Sequence, residues 1–312
     1  MPDVSPLFQP LSVGSKTLPN RIVMPPMVVN RGINTRAACE WYGQHARAGA
    51  GLVIVEATNV TGFAGRYGAA DLAPLAEAIH AGGALAALQL FPGARGQTTA
   101  PADLDRAQID ELVRGYAAAA AICAQAGFDG VEIHGAHGFL LNQFFAPEKN
   151  ARQDAYGGTL AGRMALAVRI TRAVREALPA ETLLLYRHTP VGPGYGLEES
   201  IELGRELVDA GVQLLDLSPS SIEAPGDRAA PFKALGVPLI TVNDLDLVER
   251  ALEVLREGRA DLVAVGRGLI ADPEWPAKVR QERLDEIVTC TKCDHCFVDL
   301  RAEQPVGCVQ WR

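Results

Sequence analysis

The chain has 312 residues, 48% of them hydrophobic, and a net charge of −8, enough apolar mass for a large core in one domain or two. The acidic balance argues against nucleic acid as a partner, because phosphate backbones call for clustered Lys and Arg. The longest unbroken apolar run, Ala117–Ala124, falls far short of the roughly 18 residues a membrane span needs, and MPDVSPLFQP at the N-terminus does not look like a secretory leader, so a soluble cytoplasmic protein is expected.

In chain order, short apolar runs are expected as strands at Ile22–Pro26, Leu52–Glu56, Ala86–Leu90, Gly130–Ile133, Leu183–Arg187, Leu214–Leu217, Leu239–Val242 and Leu262–Val265. Most are continuous Val, Ile and Leu, which is how strands covered on both faces read, and this implies a parallel sheet with helices outside. Helical patterns lie between them, at Asp105–Ala126, Thr159–Ala177, Leu197–Ala210 and Leu245–Glu257. Eight βα units suit a closed (β/α)8 TIM barrel. An open doubly wound sheet usually begins with a glycine fingerprint after its first strand; here that strand runs into MPPMVVNRG.

Polar residues fall where such a barrel places its active site. Glu56, Gln89, His134, Arg187, Ser218, Asn243 and Arg267 all lie at or just past the C-terminal ends of expected strands. The last strand ends in VAVGRGLIADP, where Gly266, Arg267 and Gly268 could offer donors to a phosphate; the motif alone is equally a tight turn. The tail carries Cys290, Cys293, Cys296 and Cys308, spaced C-x2-C-x2-C-x11-C. Four thiolates can hold zinc or a 4Fe–4S cluster, and ligand type alone does not separate the two. Cys39 and Cys123 stand apart within helical patterns. Domain limits of 1–284 for the barrel and 285–312 for the four-cysteine segment follow.

Three stretches carry a resemblance: LFQPLSVGSKTLPNRIVMPPM, VEIHGAHGFLLNQFFAPEKNARQDAYGGTLAGR and ADLVAVGRGLIADPEW. Together they are similar to the Old Yellow Enzyme family of FMN-dependent oxidoreductases, in order along nearly the whole chain. The cysteine tail resembles the branch that contains 2,4-dienoyl-CoA reductase and trimethylamine dehydrogenase. The resemblance implies FMN at the barrel mouth, with NAD(P)H as an electron donor. Pro25, Pro26 and Met27 would line the ring, with Ala57 near it. Gln89 would bond the pyrimidine edge, and Arg187 would sit by the N1/C2 carbonyl end. Asn243, Gly266 and Arg267 would hold the phosphate. It favours a 4Fe–4S cluster over zinc on the four cysteines. Val28 departs from the Thr or Cys of many relatives and removes one hydrogen bond to the ring.

His134 and His137 form an HxxH pair that, on a helix, could present two metal ligands, but zinc generally needs a third. Structural histidines satisfying loop carbonyls are another reading. The resemblance instead implies two donors to the oxygen of an unsaturated carbonyl compound. Phe139 stands where the family usually has a tyrosine that protonates the product. Another group would then supply the proton, with Tyr195, His188 and Tyr67 as candidates, or the chemistry shifts to isomerisation, amine oxidation or electron transfer. Relatives with the cluster usually carry a further FAD- or nucleotide-binding domain, so an electron-transfer partner protein or subunit is also expected to be compatible, as is a homo-oligomer.

Overall fold

The computed structural model describes residues 2–93, 99–219 and 228–311. The strands are β1 (Leu11–Val13), β2 (Lys16–Leu18), β3 (Ile22–Met24), β4 (Leu52–Asn59), β5 (Leu85–Phe91), β6 (Gly130–Gly135), β7 (Leu183–His188), β8 (Leu214–Leu217), β9 (Leu239–Val242) and β10 (Leu262–Ala264). From β3 onward each pairs in parallel with the next, and β10 returns to β3, which closes a barrel. The helices are α1 (Arg36–Arg47), α2 (Phe63–Arg66), α3 (Ala69–His80), α4 (Arg106–Gln125), α5 (Leu140–Phe145), α6 (Leu160–Ala177), α7 (Leu197–Asp209), α8 (Val248–Arg256), α9 (Arg267–Ala271), α10 (Trp275–Arg280) and α11 (His295–Arg301). Among the described residues no helix is long and apolar enough to cross a membrane.

The expected TIM barrel is present, and local chemistry explains its helix limits. Asp105 caps α4 reciprocally: its Oδ1 accepts from Gln108 N–H at 2.8 Å, and Gln108 Oε1 accepts from Asp105 N–H at 2.8 Å. Thr159 Oγ1 caps α6 by accepting from Gly162 N–H at 3.1 Å. The pattern read as a helix from Leu245 begins only at Val248. Leu247, just before it, is extended at φ −79° and ψ 109°, so residues 245–247 form a turn and the helix starts after them. The eight expected strands all occur, although β4 runs on to Asn59 through an irregularity between Val55 and Thr58.

Strand alternation separates two cores. Leu184 and Tyr186 face outward into the large core beneath the helices, whereas Leu183 and Leu185 face the barrel interior with Val23, Ile54 and Ile240. The β1–β2 hairpin, absent from the sequence reading, adds Val13 and Leu18 to that interior. Lys16 Nζ donates to Asp129 Oδ1 at 2.8 Å and Ser15 Oγ to Glu181 O at 3.2 Å, so the hairpin sits against residues that precede β6 and β7. It therefore closes the N-terminal end of the barrel and leaves the C-terminal end for the site.

The four-cysteine segment is fastened to the loop after β3. Val306 N–H donates to Val29 O at 3.0 Å, Arg31 Nη2 to Val306 O at 2.9 Å, and Asn30 Nδ2 to Gln304 O at 2.9 Å.

Leu18 is fully buried in the interior plug, so Leu18→Ala should cost about 2–5 kcal/mol. Urea denaturation followed by circular dichroism measures it; a loss no larger than that of exposed Ser12→Ala would show that the hairpin does not seal the core.

Candidate active site

Toward their C-terminal ends the inward positions change from aliphatic to polar. Ala87 is followed by Gln89 on β5, Gly130 by Glu132 and His134 on β6, Leu185 by Arg187 on β7, and Leu214 by Asp216 and then Ser218 at the end of β8. All six polar residues are buried. Gln89 Nε2 donates to Glu132 Oε1 at 2.7 Å. Arg187 Nε stands 3.1 Å from Asp216 Oδ2, and Arg187 Nη2 donates to Ser218 Oγ at 3.1 Å. Burial and the neighbouring Asp216 carboxylate push the Glu132 carboxyl well above its ordinary range. Burial raises the Asp216 carboxyl as well, and the Arg187 guanidinium works against that rise.

The histidine pair does not lie on a helix. His134 belongs to β6, and His137 follows in the loop with φ of 60°. The metal-pair geometry of an i, i+3 helical face is thus absent. The backbone N–H of Ala136 donates to His134 Nδ1 at 3.2 Å, which leaves the ring proton on Nε2. Burial and Arg187 bring the His134 pKa down to about 3, so the ring is neutral. The two imidazoles meet edge to face, 5.3 Å between centroids. His137 N–H donates to Thr189 Oγ1 at 2.9 Å, and its Nε2 lies 2.8 Å from Ser218 Oγ. Phe139 is 44% exposed, and its ring stands edge-on to His134 at 5.1 Å and to Phe91 at 4.9 Å.

Two of the substitute proton donors are committed elsewhere. Tyr195 OH donates to Thr189 O at 3.0 Å and accepts from Asn142 Nδ2 at 2.8 Å, while Asn142 Oδ1 accepts from Gly138 N–H at 2.8 Å. It braces the His137 loop, and burial pushes its pKa up to about 12. His188 is buried, with Nε2 2.9 Å from Ser200 Oγ. Tyr67 packs its ring edge against Phe63 beside Arg66.

A cavity of about 300 Å³ opens beside Arg187, lined by Pro25, Met27, Val28, Asn243, Gly266 and Arg267 among others. Its size is at the lower end of about 300–1,000 Å³ for cofactor sites. A Cβ at Gly266 would stand 3.4 Å from Met27 Sδ and 3.7 Å from Pro25 Cγ, so glycine keeps this wall open. Buried Arg187 and the part-buried Arg267 supply cationic donors, and the left-handed Asn243 and Asp244 hold strain at the rim. A flat ring with a phosphate arm, as in FMN, fits this donor set. Pro26 is buried and Ala57 half-buried, and neither lines the cavity. Arg267 Nη1 pairs with Asp294 Oδ1 at 2.9 Å, and Lys292, paired with Asp244 at 2.8 Å, adds a cation the sequence reading did not single out.

Cys290, Cys293, Cys296 and Cys308 all line one smaller void of about 20 Å³. None forms a disulfide. Cys290 and Cys296 also line the large cavity, so the two spaces share a wall. Among the described residues no three His, Cys, Asp or Glu side chains converge as a single metal ion requires. His295, 3.5 Å from Asp299 Oδ1, sits at the surface.

Sequence reasoning gave Glu132 and Asp216 no role. Their signal is a carboxylate at an inward alternate position inside an apolar run, VEIH and LLDL.

The profile of the NADH:flavin oxidoreductase / NADH oxidase family matches residues 6–100 and 93–286. A NADH oxidase of Thermoanaerobacter brockii is 33% identical over 92% of this chain and 52% of its own length. A NADPH dehydrogenase of Clostridium acetobutylicum is 32% identical over 86% of this chain and 92% of its own. The solved 2-naphthoyl-CoA reductase complex with 2-naphthoyl-CoA superposes with a TM-score of 0.88 at 23% identity, over 98% of this chain and 57% of that one, a likeness of fold. The chain spans about half the length of some curated relatives it matches.

Burial holds the His134 and His188 pKa values near 3, against about 6.5 in the unfolded chain. Between those values the unfolded chain binds more protons, so stability is full above pH 6.5 and falls as the pH drops toward 3. Each ring should contribute a slope of up to about 1.4 kcal/mol per pH unit. Urea titrations between pH 7 and 5 should show a shallower slope in His188→Gln than in the native protein; equal slopes would refute the assignment.

Proposed function

Because the chain belongs to the NADH:flavin oxidoreductase / NADH oxidase family, we propose that it is an FMN-dependent oxidoreductase that takes electrons from NAD(P)H and reduces an unsaturated carbonyl compound. When bound, FMN supplies two-electron chemistry and a 4Fe–4S cluster single-electron transfer. Pro25 and Met27 would border the ring, with Pro26 and Ala57 behind that wall, Gln89 and Arg187 would serve its polar edge, and Asn243, Gly266 and Arg267 its phosphate. Cys290, Cys293, Cys296 and Cys308 would hold the cluster. The observation that carries the reading is the buried Arg187 beside two neutral imidazoles at the barrel mouth.

His134 offers Nε2–H, and with His137 it would grip the substrate oxygen and stabilise the negative charge that develops there. A preorganised donor of this kind contributes about 3–4 kcal/mol. Arg187, held by Asp216, keeps positive charge next to the ring site without leaving an unpaired ion in the barrel. Phe139 excludes water from one side of His134 but has no proton to give. With Tyr195 and His188 held in their own hydrogen bonds, the α carbon would be protonated by water.

A second reading has its own support. Phe139 removes the acid of an alkene reductase, and the cysteine cage shares a wall with the large cavity. Both suit an electron-transfer subunit working with a partner protein, or amine oxidation or isomerisation.

An anaerobic visible spectrum with FMN and iron assays tests the reading. A yellow-brown protein with about one FMN and about four irons per chain is expected, bleached by NAD(P)H and recoloured by an enone. A colourless protein that refuses FMN overturns it. His134→Ala should slow enone reduction by about 10²–10³-fold, and Phe139→Tyr should speed it, by up to about 10²-fold. Flavin–cluster exchange with a partner, without enone turnover, would favour the second reading.

A further inference from the structure

Ser218 joins the two halves of the site. It lies just past the end of β8 and is 4% exposed. Its Oγ is 3.1 Å from Arg187 Nη2 and 2.8 Å from His137 Nε2. A guanidinium has only donors, so Arg187 must donate and Oγ must accept. The hydroxyl proton of Ser218 remains, and a buried hydroxyl proton requires an acceptor. Among the described residues the acceptor within reach is His137 Nε2.

We propose that Ser218 is a positioning residue that donates its hydroxyl proton to His137 Nε2 and so fixes His137 as the Nδ1–H tautomer. The opposite arrangement, with Nε2–H donating to Ser218, leaves the hydroxyl proton with no acceptor among the described residues, facing the cavity that Ser218 also lines. It also turns a ring proton toward the Arg187 cation. The His137 ring is neutral, because burial and Arg187 together hold its pKa well below the ordinary range, so the choice is between two single-proton forms.

The two imidazoles then carry complementary tautomers, set by different groups. The Ala136 backbone N–H leaves His134 with Nε2–H, and the Ser218 hydroxyl leaves His137 with Nδ1–H. Upstream, Asp216 holds Arg187 at 3.1 Å, and His137 N–H on Thr189 Oγ1 at 2.9 Å fixes the loop. Neither assignment requires a ligand. Their use as a paired oxygen clamp rests on the proposed function above, for which both rings must donate.

The tautomer is read directly by long-range proton–nitrogen NMR correlation of 15N-histidine protein with its FMN, the His137 signals being assigned by their loss in His137→Asn. Native protein is expected to show Nδ1 protonated and Nε2 bare. Ser218→Ala is expected to move the ring toward Nε2–H, and Ser218→Thr, which keeps the hydroxyl, to restore the native pattern. Binding of 4-nitrophenolate, a planar oxygen anion, is expected to weaken by about tenfold in Ser218→Ala and to recover in Ser218→Thr. Native His137 protonated at Nε2, or a Ser218→Ala variant with the native tautomer and affinity, overturns the proposal. A native protein that binds FMN but no phenolate, with His137 at Nδ1–H, instead overturns the oxygen clamp and leaves the Ser218 assignment standing.

Discussion

The Arg187–Asp216 pair is the constraint around which the barrel mouth is built. Removing two charges from water costs several kcal/mol per ion, so neither can be buried without the other in good geometry. The barrel solves this by register: Arg187 on β7 is the direct neighbour of Asp216 on β8 and of His134 on β6. A third ionisable group, Glu132, sits one inward position below His134, and burial with the Asp216 carboxylate raises its carboxyl well above the ordinary range. Burial thus disfavours a second carboxylate charge in this layer, and Arg187 lines the open cavity. Gln89, anchored on Glu132, and Ser218, anchored on Arg187, then take fixed orientations because each satisfies a buried partner.

Much of the fold was legible because parallel barrel strands are covered on both faces and declare themselves as short aliphatic runs. Leu214–Leu217 and Leu239–Val242 fall where the sequence places them. The β1–β2 hairpin was not legible. Its two strands have three residues each, and only Leu11, Val13 and Leu18 of them pack on the interior, too little for a periodic signal. The start of α8 was misjudged because apolar spacing from Leu245 continues the helical pattern, while the extended backbone at Leu247 holds residues 245–247 in a turn.

The site was legible at the level of strand ends and less so in its wiring. Arg187 lines the cavity and meets His137 at Ser218, whereas Gln89 bonds Glu132 and His134 takes the Ala136 N–H, all outside the cavity lining. Pro25, Met27, Asn243, Gly266 and Arg267 share one cavity, whereas Pro26 and Ala57 stand back from it. What the sequence hid was the two carboxylates, because a charged residue inside an apolar run gives no sign of its partner until the register is known. The local geometry of the histidine pair was hidden for a related reason. Three residues apart suggests one helical face, but a strand followed by a left-handed turn at His137 brings the rings together edge to face instead.

The cysteine segment is positioned by the barrel rather than by a core of its own. Helix α11 buries no residue completely, and Val306 is the fully buried apolar residue after Val279. Bonds to Val29, Asn30 and Arg31 hold the segment, in the loop that also carries Val28 to the cavity wall. Further anchors reach it from other parts of the barrel: Arg267 pairs with Asp294, Asp244 with Lys292, and Trp311 Nε1 donates to Ala271 O at 3.2 Å. Leu300, Cys296 and Cys308 pack, partly buried, against the barrel's outer core. A group bound by the four thiols only in this arrangement would add its binding energy to that packing, and order in the tail and occupancy of the thiols would then be one equilibrium on the template the barrel supplies.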